Sequence, residues 1–128
     1  MAVNLNIDYI YPIIFTLGFA SVSIFIRKLT LANEVAKIIS KRKDKVTNKE
    51  LRLLMLQKHG VKLSSMNMQE IIAIIRKESI IKNLCADWEG YWIEQDKEKT
   101  MKYIKAYEAR AKSIMKIVKK MKQAIYEG

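Results

Sequence analysis

The sequence predicts an all-α protein: a single transmembrane helix near the N-terminus, then a small basic helical bundle that ends in a long C-terminal helix. Three observations carry this. Residues 9–26, YIYPIIFTLGFASVSIFI, contain no charged side chain. The 128-residue chain is rich in Ile, Lys and Met and has one Pro and four Gly, so little in it breaks helices. Further along, apolar residues recur at spacings of three and four, the period of a helix with one buried face.

Residues 1–8 read as a short tail and residues 9–27 as the membrane span. The 18 uncharged residues would extend about 27 Å as a helix, close to a bilayer core of about 30 Å. Tyr9 and Tyr11 stand at one end, where amphipathic rings favour the lipid–water boundary. Pro12 falls in the first turn, where its missing N–H costs little. Phe15, Phe19 and Phe25 lie within the run, and Arg27 with Lys28 closes it, with stems long enough to reach headgroups. A cleaved signal would start with basic residues, and residues 1–8 contain none; Ala20-Ser-Val is only a loose cleavage site. A buried core helix is the remaining alternative, although the run's only polar residues are Thr16, Ser21, Ser23 and the tyrosines.

Charge gives the span a direction. Net charge is +11, and residues 27–128 hold all 24 basic residues against 12 acidic ones, or +12. By the positive-inside rule the bulk of the chain lies on the cytoplasmic or matrix side, with the N-terminus outside. Such a surplus also favours anionic partners: nucleic acid, acidic lipid or an acidic protein surface.

Residues 28–46 read as a juxtamembrane helix and basic linker, with Leu31, Val35, Ile38 and Ile39 near one face of the helix. Lys41, Arg42 and Lys43 in the linker are candidate contacts for anionic lipid or nucleic acid, or simply a solvated helix end. Residues 47–128 read as the helical domain. Thr47-Asn-Lys-Glu50 is a capping box, and Gly60 ends the helix that it starts. Asn67-Met-Gln-Glu70 opens the next helix, which is expected to carry Ile71, Ile72, Ile74, Ile75, Ile80, Ile81 and Leu84, with Cys85 as an inert buried thiol. Gly90 interrupts near Trp88, Tyr91 and Trp92, an aromatic cluster with an acidic rim. These aromatics are candidate interface anchors or the plug of a helix junction. The last helix begins near Glu94 or Lys97 and ends near Tyr126. Ile104, Tyr107, Ala111, Ile114, Val118, Met121 and Ile125 follow a 3-4-3-4-3-4 spacing, a heptad seam suited to a bundle or a short coiled coil. Ile104, Tyr107, Ile114, Val118 and Met121 are therefore further candidate interface residues. The bundle is favoured, because Tyr107 and Ala111 make a poor dimer seam.

The stretch Gln57-Lys-His-Gly-Val-Lys-Leu-Ser64 loosely resembles the turn of a DNA-reading helix-turn-helix. The residues around it argue against that resemblance. Leu56 stands where a small residue is expected, Gln69 at an expected core position, and the would-be recognition helix is apolar and carries Glu70 where a phosphate or base edge would approach. Lys102, Lys105, Lys112, Lys116 and Lys119 line one side of the last helix, either tracking phosphates without reading sequence or forming a solvated face. No aromatic residues interleave with them, which weakens a single-strand stacking role.

No catalytic constellation is found. His59 is the only histidine and has no cysteine near it in sequence, so metal-ligand spacing is missing. There is no phosphate-cradling glycine loop and no nucleophile elbow. No catalytic residue, metal or cofactor is expected. The expected function is a non-enzymatic, single-pass structural subunit or scaffold of a membrane-associated assembly, with partners among lipid, other subunits or further copies of itself. The alternative is a membrane-anchored nucleic-acid tether using its lysine-rich face.

Overall fold

The computed structural model describes residues 19–127, with side chains from residue 23 onward. Tyr9, Pro12, Phe15 and the side chain of Phe19 lie outside the described residues. Four helices dominate: α1 (Phe19–Lys41), α2 (Asn48–His59), α3 (Ser65–Lys77) and α4 (Lys97–Glu127). Between α3 and α4 lies a hairpin of two strands, β1 (Leu84–Asp87) and β2 (Gly90–Ile93). The described residues up to Ile93 form one compact unit, and Glu94–Gly128 forms a second.

Helix α1 runs without a break through the end of the expected span and the expected juxtamembrane segment. Leu29, Ala32, Val35, Ala36 and Ile39 are buried along one face, at the spacing of a helix packed on a core. The opening turns are different: Ile24, Phe25 and Arg27 are exposed. Among the described residues, no helix is long and apolar enough to cross a membrane.

Helix α2 starts at the expected cap, with the Glu50 side chain on the Thr47 hydroxyl rather than on the Thr47 N–H. Thr47 is the N-cap, its hydroxyl oxygen accepting from the Glu50 amide at 3.1 Å. The Glu50 carboxylate in turn accepts from the Thr47 hydroxyl at 3.3 Å. At the other end Gly60 is left-handed (φ 65°), and its N–H is donated to the Leu56 carbonyl at 3.0 Å.

Helix α3 differs from the sequence expectation at both ends. Its N-cap is Ser64, which exchanges hydrogen bonds with Asn67, so the helix begins at Ser65. It ends at Lys77, just before Ser79, whose φ is 53°. Ile80, Ile81 and Leu84 are buried as expected, but from a connection and a strand. A short apolar run has no period that separates strand from helix. Here Asp87-Trp-Glu-Gly90 supplies the turn that makes it a hairpin. Cys85 is accordingly a buried residue of β1, not of a helix.

The hairpin pairs Leu84 with Ile93 and Asp87 with Gly90, leaving Trp88-Glu89 as a two-residue connection. Val46 adds a third rung to the sheet: its N–H is donated to the Tyr91 carbonyl at 2.9 Å, and the Tyr91 N–H to the Val46 carbonyl at 2.8 Å. One core cluster joins α1, α2, α3 and the hairpin, with Val35, Val46, Leu51, Met55, Met68 and Ile75 all fully buried. The fold is thus mostly helical, with a small sheet that the all-α expectation did not include.

Candidate nucleic-acid interface

Helices α2 and α3 are joined by residues 60–64, a five-residue connection that opens with the left-handed Gly60. The β1–β2 hairpin follows α3 in the chain. Leu56 and Gln69 are both exposed, so neither occupies the core between the helices. That core is filled by Leu51 and Met55 from α2 with Met68, Ile71, Ile72 and Ile75 from α3. The 68-71-72-75 spacing is one helical stripe, and it leaves Met66, Gln69, Glu70, Ala73 and Lys77 on the exposed side. Glu70 is ion-paired at 3.5 Å with Lys28 of α1, so its charge has a local counterpart.

Asn48 holds the starts of the two helices together. Its side-chain amide donates to the Ser65 carbonyl at 3.3 Å, and its oxygen accepts from Arg52 Nε at 2.7 Å. The first turns of α2 and α3 therefore meet at one edge. Both carry unpaired backbone N–H groups and the positive end of a helix dipole, an arrangement favourable to phosphate.

The charges of this unit are distributed to match. Residues 19–93 contain 14 basic and 7 acidic side chains, a net +7. Most of the acids are consumed locally: Glu50 by Arg42 at 3.6 Å, Glu34 by Lys37 at 3.1 Å, and Asp87 and Glu89 by Lys45 at 2.5 and 3.4 Å. Lys49, Lys58, Lys62, Lys77 and Lys82 are exposed and have no ion pair among the described residues.

At the hairpin, the Lys45 ammonium donates to the Asp87 carboxylate and lies 4.4 Å from the centre of the Trp92 ring. The hydrogen bond holds Asp87 below its ordinary pKa and Lys45 above its own, against the opposing effect of desolvation on each.

The predicted site residues fall in several places. Lys41, Arg42 and Lys43 are exposed at the end of α1 and just beyond it, with Arg42 committed to Glu50. Trp88 does not plug a helix junction; it is 90% exposed at the hairpin tip, while Tyr91 and Trp92 are half-buried on β2. Ile104, Tyr107, Ile114 and Met121 are exposed along α4 and Val118 is half-buried. Lys102, Lys105, Lys112, Lys116 and Lys119 are exposed on the same helix, with Lys112 paired to Glu108 at 3.0 Å.

Sequence reasoning missed Asn48, Lys62, Ser65 and Gln69. The available signals were Ser64 with Asn67 three residues on, a capping pair that sets the helix start, and the 68-71-72-75 apolar spacing, which leaves Gln69 outside the buried stripe.

His59 Nε2 lies 3.3 Å from Glu34, and no group of three or more His, Cys, Asp or Glu among the described residues could hold a metal. Comparisons with protein families, with curated proteins and with solved structures find no match to this chain.

Proposed function

We propose that this chain is a non-enzymatic duplex-DNA-binding protein held at a membrane by its apolar run at residues 9–26, with its basic part on the cytoplasmic or matrix side. The observation that carries the DNA-binding half is the α2–turn–α3 unit, whose helix starts are tied by Asn48 and whose outward α3 face is uncommitted to the core. On that face Gln69 has the amide geometry for an adenine edge, and Ala73 has a methyl group for thymine. Lys49 and Lys62 flank the helix starts as phosphate contacts. The membrane half rests on the length, flanks and one-sided charge of the apolar run.

The test uses the full chain in non-ionic detergent with mixed-sequence duplex DNA. Binding should weaken steeply between about 50 and 200 mM salt. Lys62→Ala should reduce the salt slope by about one, and Gln69→Ala should weaken a selected site more than random duplex. No binding at low salt would overturn the DNA reading. The uncovered apolar stripe of α4 supports the second reading, a structural subunit of a membrane-associated assembly. Recovery of stoichiometric neighbours from native membranes, with no DNA affinity, would favour it.

A further inference from the structure

Helix α4 is 31 residues long and none of them is buried. An isolated helix of this composition gains most of its stability by covering an apolar face. The face is well defined. Placing Ile104 at heptad position a puts Tyr107, Ile114 and Met121 at d, and Ala111, Val118 and Ile125 at a. Met115 and Ile117 widen the stripe at the flanking e and g positions. Lys102, Lys105, Lys112, Lys116, Lys119 and Lys120 all fall at b, c or f, the outer side. A helix with a large cationic excess therefore keeps its seam almost free of charge, which lets it meet another helix of the same kind.

We infer that α4 pairs with the α4 of a second copy, and that the pair is antiparallel. A parallel, in-register pair would set Ala111 against Ala111 and leave a gap. It would set Tyr107 against Tyr107 and crowd the next layer, and it would align no opposite charges at the flanks. In the antiparallel register centred on Lys116, large residues meet smaller ones. Met121 fills the space at Ala111, Ile125 meets Tyr107, and Ile114 meets Val118. Glu108 of each copy then faces Lys122 of the other, the e-position complement that fixes orientation in coiled coils. Met115 and Ile117 each meet their own copy across the two-fold axis, a closed, self-complementary interface.

The area is sufficient. Ile104, Tyr107, Ile114, Met115, Ile117, Met121 and Ile125 are 45–76% exposed. At about 100 Å² apiece they offer about 700 Å², near the roughly 800 Å² per partner of a standard specific interface. The inference stands on α4 alone and does not need the DNA reading; its consequence is a particle with two helix-turn-helix units.

The test is disulfide formation in the full chain in mild detergent, without nucleic acid. Wild type, whose single thiol is the buried Cys85, serves as the blank. Met115→Cys should oxidise almost completely to a covalent dimer, and Ile114→Cys should give at least tenfold less. In a parallel pair the order reverses, because d residues face each other and e residues lie on opposite sides. Light scattering should give a dimer for wild type and a monomer for the Ile114→Lys, Val118→Lys double variant, with hairpin tryptophan fluorescence unchanged. Efficient Ile114→Cys crosslinking, absence of crosslinking at both positions, a monomeric wild type, or a double variant that stays dimeric would each overturn the inference.

Discussion

Gly90 is the position where one methyl group should do the most damage. Its φ is 139°, a conformation that side chains avoid, and a Cβ added there would lie 2.5 Å from the Val46 carbonyl oxygen and 2.8 Å from its carbon. The obstacle is backbone, so no rotamer change relieves it. That carbonyl accepts the Tyr91 N–H, and the Val46 N–H is donated back to Tyr91. Gly90→Ala must strain its own backbone, at about 1–3 kcal/mol, or push Val46 away and lose two hydrogen bonds at about 1 kcal/mol each. Displacing Val46, which is fully buried, adds to the second route. The expected cost is about 3–4 kcal/mol, a large share of the roughly 5–15 kcal/mol that holds an ordinary domain folded. Urea unfolding followed by tryptophan fluorescence is well placed to measure it, since Trp88 and Trp92 both belong to the hairpin region. Gly60→Ala is the control: its φ is 65°, but nothing lies within 4 Å of the added Cβ. It should cost about 1 kcal/mol, from the left-handed backbone alone. Equal effects at the two glycines, or a Gly90→Ala cost below 1 kcal/mol, would refute the close-approach argument.

Further expectations concern the same unit. Ser64→Ala removes the cap of α3 and should cost about 1 kcal/mol, while Ser64→Asp should retain most of the stability; thermal unfolding distinguishes them. Met55→Ala empties a fully buried site between α2 and α3 and should cost about 2–5 kcal/mol by denaturant titration. Lys45→Met should raise the Asp87 pKa by removing its largest source of depression, leaving only the backbone hydrogen bonds from Glu89 and Gly90, a change visible by NMR titration of its carboxyl. Asp87 is depressed by Lys45, so its contribution is complete above its ordinary value of 3.8 and is lost as pH falls through the folded value. Lys45 is raised, so its contribution is present below 10.5 and is lost as pH rises through its folded value. Hairpin fluorescence should therefore be flat across neutral pH in wild type and change only at those two extremes.

The helical elements were legible wherever local chemistry acts alone. Thr47 and Gly60 bound α2 because a cap hydroxyl and a left-handed glycine work through their own neighbours. The α4 heptad is likewise visible as spacing. The hairpin was not legible, because the run from Ile71 to Leu84 has too many apolar residues to show a period. The turn at Asp87–Gly90 makes it a hairpin, and Val46, more than 40 residues away in sequence, pairs with Tyr91 on β2. The candidate site was hidden for a related reason. Glu70 looks hostile to phosphate until Lys28, from a different helix, is placed beside it. Gln69 looks buried in a helix-turn-helix register until Met68, Ile71, Ile72 and Ile75 are seen to form the buried stripe without it. The first correction is tertiary, whereas the second was already present as the 68-71-72-75 spacing of α3.

The pairing of acids explains how a chain can be strongly basic without being uniformly repulsive. Glu34, Glu50, Glu70, Asp87 and Glu89 each lie against a lysine, arginine or histidine. Exposed pairs of this kind add little stability, so their main effect is on where the remaining charge is felt. They offset single charges on α1, at the start of α2, on α3 and at the hairpin, and leave Lys49, Lys58, Lys62, Lys77 and Lys82 without an ion pair among the described residues on and around α2 and α3. The same separation operates on α4, where lysines occupy the outer positions and the seam is left apolar. In each unit charge is kept off the surface that must pack and concentrated on surface that faces water. On the proposed DNA reading a polyanion meets the chain there, and high salt should abolish that encounter while leaving the inferred α4 pair intact.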